Sequence, residues 1–233
     1  LGMVSSQFKN ATGLPMAGHY TTAKDLAVLA KAIINDYPEH YKLYSEKYFT
    51  YNDIRQPNRN RLLWRDNAVD GIKTGHTDEA GYCLVSSAKK NNMRLISVVM
   101  GTRSEEARAA ESQKLLTYGF RFFETHRLYE ANSELKKTRV WGGQKEEVSL
   151  GISQDLVITI PRGQKGNLNI EYSVDEVVKA PIIKGVEYGQ IKVSLDGETL
   201  IEKPLVALHE VKEAGFLARL WDYIKLFFYS LFS

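Results

Sequence analysis

The residues best suited to chemistry are the run Lys73-Thr-Gly75, which is followed by His76. An ammonium group and a hydroxyl at adjacent positions can both donate hydrogen bonds to a carboxylate. Gly75 has no side chain that would keep an extended peptide away from the backbone, and backbone N–H groups just beyond it can stabilise an oxyanion. The run therefore predicts one wall of a site for a ligand that ends in a carboxylate. Three specified residues are a weak signal, and on the motif alone Lys73 is equally well explained as a solvated strand lysine.

Helical patterns lie on both sides of this motif. Thr22-Ala-Lys-Asp25 resembles a capping box and is followed by apolar residues at helical spacing, so a helix is predicted that ends before Pro38. Ser104, with two glutamates directly after it, predicts the start of a second helix. The stretch Tyr51–Arg65 is rich in Asn, Arg and Gln and is predicted to be a long surface loop.

Three short strands are predicted around the motif, and they cover Val69–Thr74, Tyr82–Ala88 and Arg94–Met100. Lys89-Lys-Asn-Asn92 predicts a tight turn between the second and the third. Cys83, which lies at the start of the second strand in an apolar run, is predicted to be a buried structural thiol.

The region after Phe123 has a different character. Short alternating or β-branched runs, separated by Gly, Pro, Asn and Asp, predict a small all-β domain between about Leu135 and Val211. These runs are Thr138–Trp141, Leu156–Ile160, Leu168–Tyr172, Gln190–Leu195 and Leu205–Leu208. Asp196-Gly197 between two of them is a hairpin signal, and no group of residues in this region resembles a catalytic cluster.

The last twenty residues predict an amphipathic helix. Its apolar face carries eight large side chains: Phe216, Leu217, Leu220, Trp221, Ile224, Phe227, Phe228 and Leu231. Three charged residues make it a poor membrane-spanning segment, and it suits a helix that lies in the plane of the membrane interface. A helix that packs on its own β domain or on a protein partner remains the alternative.

Composition restricts the function only in part. A hydrophobic fraction of 43% and a charged fraction of 25% are ordinary for a globular protein. The net charge of +3 and the absence of a dominant Lys/Arg cluster give no indication of nucleic-acid binding. The single cysteine excludes a disulfide framework and a cysteine-based metal site, and no metal or cofactor is expected. The opening Leu1-Gly-Met-Val, which resembles the middle of a helix and no signal sequence, suggests a piece of a longer protein.

Many segments in order resemble D-alanyl-D-alanine carboxypeptidases of the penicillin-binding protein 5 type, and the resemblance covers nearly the whole chain. They include Thr22-Ala-Lys-Asp-Leu26, Asn58-Arg-Asn60, Leu62-Leu-Trp64, Val69-Asp-Gly-Ile-Lys-Thr-Gly-His-Thr-Asp78, Ala110-Glu-Ser112, Gly119-Phe-Arg-Phe-Phe-Glu-Thr125, Ile160-Pro-Arg-Gly163 and Asp222-Tyr-Ile-Lys-Leu226. This set is far more specific than Lys-Thr-Gly alone.

The resemblance implies an α+β fold with three parts. Residues 1–123 would be part of a penicillin-binding (β-lactamase-like transpeptidase) domain, residues 124–212 a small all-β domain, and residues 213–233 an amphipathic membrane-anchor helix. It also implies a serine enzyme that trims the terminal D-alanine from peptidoglycan pentapeptides ending in D-Ala-D-Ala, and that β-lactams inhibit. The expected location is the periplasmic face of a bacterial inner membrane, with the helix on the lipid surface.

The resemblance also assigns the candidate substrate-binding residues. Lys73, Thr74 and Gly75 match the family's third motif, and the backbone N–H of His76 matches an oxyanion-hole donor. Arg108 matches an arginine near the substrate carboxylate; without the resemblance it would be interpreted as a solvated helix residue.

The chain departs from the family at the nucleophile. The family needs a Ser-x-x-Lys element at the start of a buried helix well before Lys-Thr-Gly, and a Ser-x-Asn element that would lie before Leu1. Ser86-Ser-Ala-Lys89 has the first spacing but follows the motif at a strand end, so we reject it. No catalytic residue is therefore assigned, and this chain alone is predicted to be inactive.

Two other functions remain open. Class A β-lactamases also contain Lys-Thr-Gly, but there little more than a strand and a helix follows it, whereas more than half of this chain follows Gly75. A non-catalytic, membrane-attached peptidoglycan-binding or interaction module is the second alternative. A Ser-x-x-Lys element about a hundred residues upstream would favour the enzyme, and its absence would favour the module.

Overall fold

The computed structural model describes the backbone of residues 1–232 and the side chains of residues 1–228. The chain forms two units, Leu1–Glu124 and Thr125–Ser233. The first unit mixes helices with an antiparallel sheet, the second is built almost entirely of strands, and a helix ends the chain. The predicted α+β class is therefore confirmed.

Helix α1 spans Ala23–Asp36 and begins as its sequence predicts. The side chain of Thr22 caps the helix by accepting a hydrogen bond from the Asp25 backbone N–H at 3.2 Å, which satisfies one of the free N–H groups of the first turn. Asp25 is itself buried and accepts a hydrogen bond from the Ser6 hydroxyl at 2.6 Å. The chain before α1 is thereby fixed to the helix. Its first residues are predicted to be helical, but they form no helix.

The motif lies in a three-stranded antiparallel sheet of the order β3-β4-β5. These strands are β3, Val69–Thr77; β4, Gly81–Lys90; and β5, Met93–Thr102. All three predicted strands are confirmed, and so is the turn between β4 and β5, where Asn91 and Asn92 take positive φ angles. Helix α4, Glu105–Phe122, follows with Ser104 as its N-cap and packs on β4 and β5.

The predicted surface loop between Tyr51 and Arg65 is wrong, because its first half contains an exposed strand and its second half a partly buried helix. Strands β1 (Tyr48–Tyr51) and β2 (Ile54–Pro57) form a hairpin, and the short helix α3 (Leu62–Arg65) buries Leu62 and Leu63. The buried side chain of Asn60 donates to the carbonyl oxygen of Gly71 at 2.9 Å, so this segment packs against the base of β3. A second short helix, α2, covers Pro38–Tyr41.

The second unit contains a six-stranded sheet of the order β10-β12-β13-β8-β7-β11 and a two-stranded sheet of β6 and β9. The strands are β6, Phe123–Tyr129; β7, Lys136–Trp141; β8, Glu147–Gly151; β9, Leu156–Pro161; β10, Leu168–Val174; β11, Val178–Lys179; β12, Glu187–Leu195; and β13, Glu198–Ala207. The burial of β9 alternates residue by residue, as expected of a strand with one face on a core. Asp196 and Gly197 take positive φ angles in the turn between β12 and β13, which confirms the predicted hairpin.

Helix α5 spans Phe216–Phe232 and carries the predicted apolar face. Seven of its eight predicted members are exposed: Phe216, Leu217, Leu220, Trp221, Ile224, Phe227 and Phe228. The side chain of the eighth, Leu231, lies outside the described residues. Within the described part of the chain, no helix is long and apolar enough to cross a membrane.

Candidate functional site

Strand β3 positions the Lys-Thr-Gly run at an edge of its sheet. It pairs only with β4 in the sheet order β3-β4-β5, so its other edge is open to a further strand among the residues that the structure describes. Lys73 and Gly75 are exposed, whereas Thr74 between them is 8% exposed. The Lys73 ammonium donates to the carbonyl oxygen of Thr74 at 2.7 Å, which holds it close to the strand. This arrangement offers a cation beside a free strand edge.

All five candidate substrate-binding residues line one cavity of about 980 Å³. Lys73, Thr74, Gly75 and His76 come from β3, and Arg108 comes from α4. The sequence therefore identifies residues that the fold brings together, although Arg108 lies more than thirty residues after the motif. A cavity of this size accommodates a peptide end.

Arg108 is a buried residue and not the solvated helix residue that its sequence context suggests. Its side chain is 3% exposed. One guanidinium nitrogen donates to the carbonyl oxygen of Gly75 at 3.2 Å, and the other donates to the Glu105 carboxylate at 3.3 Å. The guanidinium carbon also lies 5.5 Å from the centroid of the Tyr82 ring. These contacts fix a positive charge directly behind the motif.

His76 stacks on the neighbouring strand. Its ring centroid lies 3.9 Å from that of Tyr82, its cross-strand partner on β4, with 34° between the ring planes. The stack keeps the imidazole against the sheet. His76, whose backbone N–H is the predicted oxyanion donor, is among the residues that line the cavity.

A loop that the sequence marks only as irregular, from Asn10 to Leu14, also lines the cavity. Asn10 organises it: its side-chain oxygen accepts from the backbone N–H groups of Thr12 at 3.2 Å and Gly13 at 2.8 Å. Its amide nitrogen donates to the carbonyl oxygen of Leu14 at 3.0 Å. The Asn-x-x-Gly spacing is a turn signal that can be recognised from sequence, but its place in the lining of the same cavity as Lys73 cannot.

A smaller cavity of about 340 Å³ adjoins the motif and is lined mainly by apolar residues of α1, β4 and β5. It shares Thr74, Gly75 and Cys83 with the larger cavity. Cys83 is only partly buried, so the prediction of a buried thiol is wrong. It lies opposite Gly75, which has no side chain to cover it.

The rejected element Ser86–Lys89 has no features of a nucleophile site. Ser86 is 0% exposed in β4, and its hydroxyl lies 2.9 Å from that of Ser97 on β5. Three further serines precede a lysine at the same interval, namely Ser6, Ser87 and Ser133. None of them begins a helix. Ser87 is also buried and accepts from Arg94 at 2.6 Å.

A charged cluster fixes the N-terminal end of β3, at Asp70. Arg94 binds Asp70 through two hydrogen bonds of 2.7 and 2.8 Å, and the Tyr41 hydroxyl donates to the same carboxylate at 2.6 Å. Burial, and then the hydrogen bond to Asp70, raises the pKa of Tyr41 well above its ordinary value. The hydrogen bond from Arg94 to Asp70 likewise raises the pKa of Arg94. The cluster ties Asp70, three residues before Lys73, to β5 and α2.

Comparison with known proteins gives two family matches. Residues 1–104 match the D-alanyl-D-alanine carboxypeptidase family, and residues 123–213 match the C-terminal domain of penicillin-binding protein 5. The chain is 47% identical to D-alanyl-D-alanine carboxypeptidase DacC of Escherichia coli, over all of this chain and 59% of that protein. It is 45% identical to DacA of Haemophilus influenzae, over all of this chain and 60% of that protein.

The fold agrees with solved structures of similar sequence. Penicillin-binding protein 5 from Haemophilus influenzae superposes with a TM-score of 0.83 at 45% identity, over 91% of this chain and 62% of that one. The carboxypeptidase DacD from Francisella tularensis gives a TM-score of 0.62 at 31% identity, over 91% of this chain and 65% of that one. The chain thus spans about three fifths of the length of the relatives that it matches.

Proposed function

The chain belongs to the D-alanyl-D-alanine carboxypeptidase family, and we propose that the full-length protein removes the terminal D-alanine from peptidoglycan pentapeptides through an acyl-enzyme. The observation that carries the proposal is the single cavity that collects Lys73, Thr74, Gly75, His76 and Arg108 beside a free strand edge.

The site's chemistry suits a peptide that ends in D-Ala-D-Ala. The peptide adds to the open edge of β3, where Gly75 permits close approach of its backbone. Lys73 and the Thr74 hydroxyl bind the terminal carboxylate, and Arg108 adds positive charge from behind the strand through its contact with Gly75. The N–H of His76 stabilises the oxyanion that forms when the penultimate carbonyl is attacked.

The nucleophile and the base of the proposed reaction belong to a part of the full-length protein outside these 233 residues. A Ser-x-x-Lys element supplies the serine that attacks the carbonyl, D-alanine leaves, and water then hydrolyses the acyl-enzyme. β-Lactams, whose strained amide resembles the D-Ala-D-Ala bond, acylate the same serine. Since the 233 residues offer no suitable serine, this chain alone is proposed to be inactive.

We place the protein on the outer, periplasmic face of the inner membrane, where the peptidoglycan substrate lies. Helix α5 is the proposed attachment: Phe216, Leu217 and Trp221 are 71%, 78% and 61% exposed and lack protein cover. An exposed aromatic face of this kind is typical of helices that lie in the membrane interface.

The direct test is release of D-alanine by the full-length protein from a peptide ending in D-Ala-D-Ala. A peptide of the same sequence with a C-terminal amide is the matched control, because it keeps the scissile bond and removes the carboxylate that Lys73 binds. The proposal requires release from the first peptide and a kcat/KM about ten- to hundredfold lower for the second, the usual effect of losing a hydrogen bond to a charged group. No release from either peptide would instead support the membrane-attached binding module.

A further inference from the structure

Helix α5 has two faces with different surroundings. The apolar face is exposed, whereas the opposite side packs on the β domain, where Leu226 is 9% exposed. Asp222 follows Leu220 by two residues, which corresponds to a rotation of about 200° around the helix axis. Asp222 therefore lies on the side of the helix opposite to Leu220. The polar side of a lone interfacial helix faces water; here the protein's own β domain covers it.

The contact centres on the Asp222 carboxylate. One of its oxygens accepts a hydrogen bond from the backbone N–H of Gly142 at 2.9 Å. The other faces the Arg139 guanidinium at 3.4 Å and the Lys225 ammonium at 3.9 Å. The Asp222 side chain is 21% exposed, so these charge-assisted contacts are partly shielded from water.

The turn at Gly142 is shaped to receive the helix. Gly142 has a φ of +70°, and a Cβ built there would lie 3.2 Å from the Tyr223 hydroxyl oxygen. The carbonyl oxygen of Gly142 accepts from the Ala214 N–H at 2.9 Å, just before the helix begins. Both backbone polar groups of one glycine are therefore used to hold α5.

We propose that Asp222 and Gly142 form a clasp that makes α5 a fixed part of the β domain, so that a lipid bilayer bound to the exposed apolar face sets the orientation of that domain. This proposal rests on the proposed membrane attachment. Without the clasp, a helix joined to the β domain by one chain segment rolls and tilts in the interface. With the clasp, the apolar face lies on one side of α5 and the β domain on the other. Insertion of the helix then places the domain directly above the lipid headgroups.

The test compares the full chain with Asp222→Asn and Asp222→Ala, and uses Glu198→Gln as a control that removes an exposed carboxylate of the same domain. The first measurement is hydrogen exchange of the Gly142 N–H in solution. Asp222→Ala should accelerate exchange of the Gly142 N–H about ten- to hundredfold, which is the value of a hydrogen bond to a charged acceptor. Asp222→Asn should give a rate between those of the parent and Asp222→Ala. Glu198→Gln should match the parent. Exchange at Ile191 and Val193 reports whether the domain core remains folded.

The second measurement is orientation on vesicles of neutral phosphatidylcholine, where the change of charge has little effect. A donor dye at Glu171→Cys, in a Cys83→Ser background, transfers energy to an acceptor on the lipid headgroups. The parent and Glu198→Gln should each give one narrow distribution of the distance from the donor to the headgroups. Asp222→Ala should give a broad distribution while the same fraction of protein is bound to vesicles. Gly142→Ala, whose methyl group presses on Tyr223, should broaden it without changing any charge.

The outcomes separate the two proposals. Gly142 exchange that is the same in Asp222→Ala and the parent, or equally narrow distance distributions, would overturn the clasp. If the parent fails to bind vesicles, membrane attachment is wrong, and the exchange experiment in solution still decides whether the clasp exists.

Discussion

The guanidinium of Arg108 donates to the carbonyl oxygen of Gly75 at 3.2 Å and so joins helix α4 to the strand of the Lys-Thr-Gly motif. Because Arg108 is buried, its charge cannot be solvated and acts on its immediate surroundings. The residue thus has two effects at once, since it holds the Gly75 carbonyl and adds a positive charge, paired with Glu105, to the cavity lining. Both effects favour a ligand with a terminal carboxylate.

Substituting Lys73 or Arg108 by alanine in the full-length protein should impair handling of that carboxylate. We expect each change to lower kcat/KM for a D-Ala-D-Ala peptide. The expected loss of transition-state stabilisation is about 2–4 kcal/mol. Arg108→Lys keeps the charge but loses one of the two contacts, so its loss should be smaller. Lys114→Ala is the control, because Lys114 lies on the same helix and forms an exposed ion pair with Glu111. Parent-like values for both alanine variants would remove the carboxylate-binding assignment.

The 233-residue chain alone should form no covalent adduct with labelled penicillin. Its serines at the Ser-x-x-Lys spacing do not begin helices, and Ser86 is buried against Ser97. Mass spectrometry after incubation with the label measures the adduct, and the full-length protein serves as the positive control. A serine-linked adduct on the chain that disappears in Ser86→Ala would show that the rejected element is the nucleophile after all.

Local signals predict much of the fold, and long-range contacts explain the failures. Thr22 and Ser104 cap their helices as expected, since a cap is a contact between residues three apart. The polar composition of the segment around Asn60 predicts a surface loop. Asn60 itself is buried, and its amide donates to the Gly71 carbonyl oxygen, eleven residues further on. No local sequence pattern predicts that contact.

The site follows the same division. The motif on β3 is recognisable as a run of residues, whereas the burial of Arg108 depends on a carbonyl group 33 residues earlier in the chain. The wall formed by the Asn10 turn is likewise a matter of tertiary placement. The resemblance to a family is what makes Arg108 a candidate for substrate binding, since its helical context alone favours a solvated residue.

The ion pair between Asp70 and Arg94 should contribute to stability more than an exposed pair. Asp70→Asn removes the charge that accepts hydrogen bonds from Arg94 and Tyr41, and we expect it to lower the free energy of unfolding by about 1–3 kcal/mol. Glu39→Gln breaks the exposed pair with Lys42 and should cost at most about 0.5 kcal/mol. Urea unfolding at pH 7 measures both. Equal losses in the free energy of unfolding would mean that the cluster around Asp70 stabilises the fold no more than an exposed ion pair.

The β domain should lose stability at alkaline pH through Tyr172. Burial, followed by the hydrogen bond with Tyr129, raises the pKa of Tyr172 from 10.0 to about 12. The folded state then keeps the proton where the unfolded state has released it, so this contribution is complete below pH 10.0 and is lost as the pH rises toward about 12. Tyr172→Phe should flatten the fall in unfolding free energy between these values, and the exposed Tyr51→Phe should not. Parallel curves for Tyr172→Phe and the parent would contradict the assignment.

The chain should bind lipid vesicles through α5, mainly by burial of apolar surface. Burying one large apolar side chain is worth about 1.5–3 kcal/mol, so Phe227→Ser should weaken binding at least about tenfold. Ala218→Ser, elsewhere on the same helix, should leave it nearly unchanged. Charge should matter little, because Arg219 pairs with Glu213 and Lys225 lies near Asp222. Binding should therefore persist at high salt and be lost in detergent.

Co-sedimentation of the chain beside a version that ends at Glu213 measures this attachment, at low and at high salt. The shorter version keeps the bridge between Glu213 and Gly143, so its β domain retains that contact while the whole of α5 is removed. We expect the intact chain to sediment with the vesicles in both salts and the shorter one to remain in solution. If both versions remain soluble, or if salt alone releases the intact chain, the exposed face of α5 is better explained as a surface for a protein partner, because an apolar anchor does not respond to ionic strength.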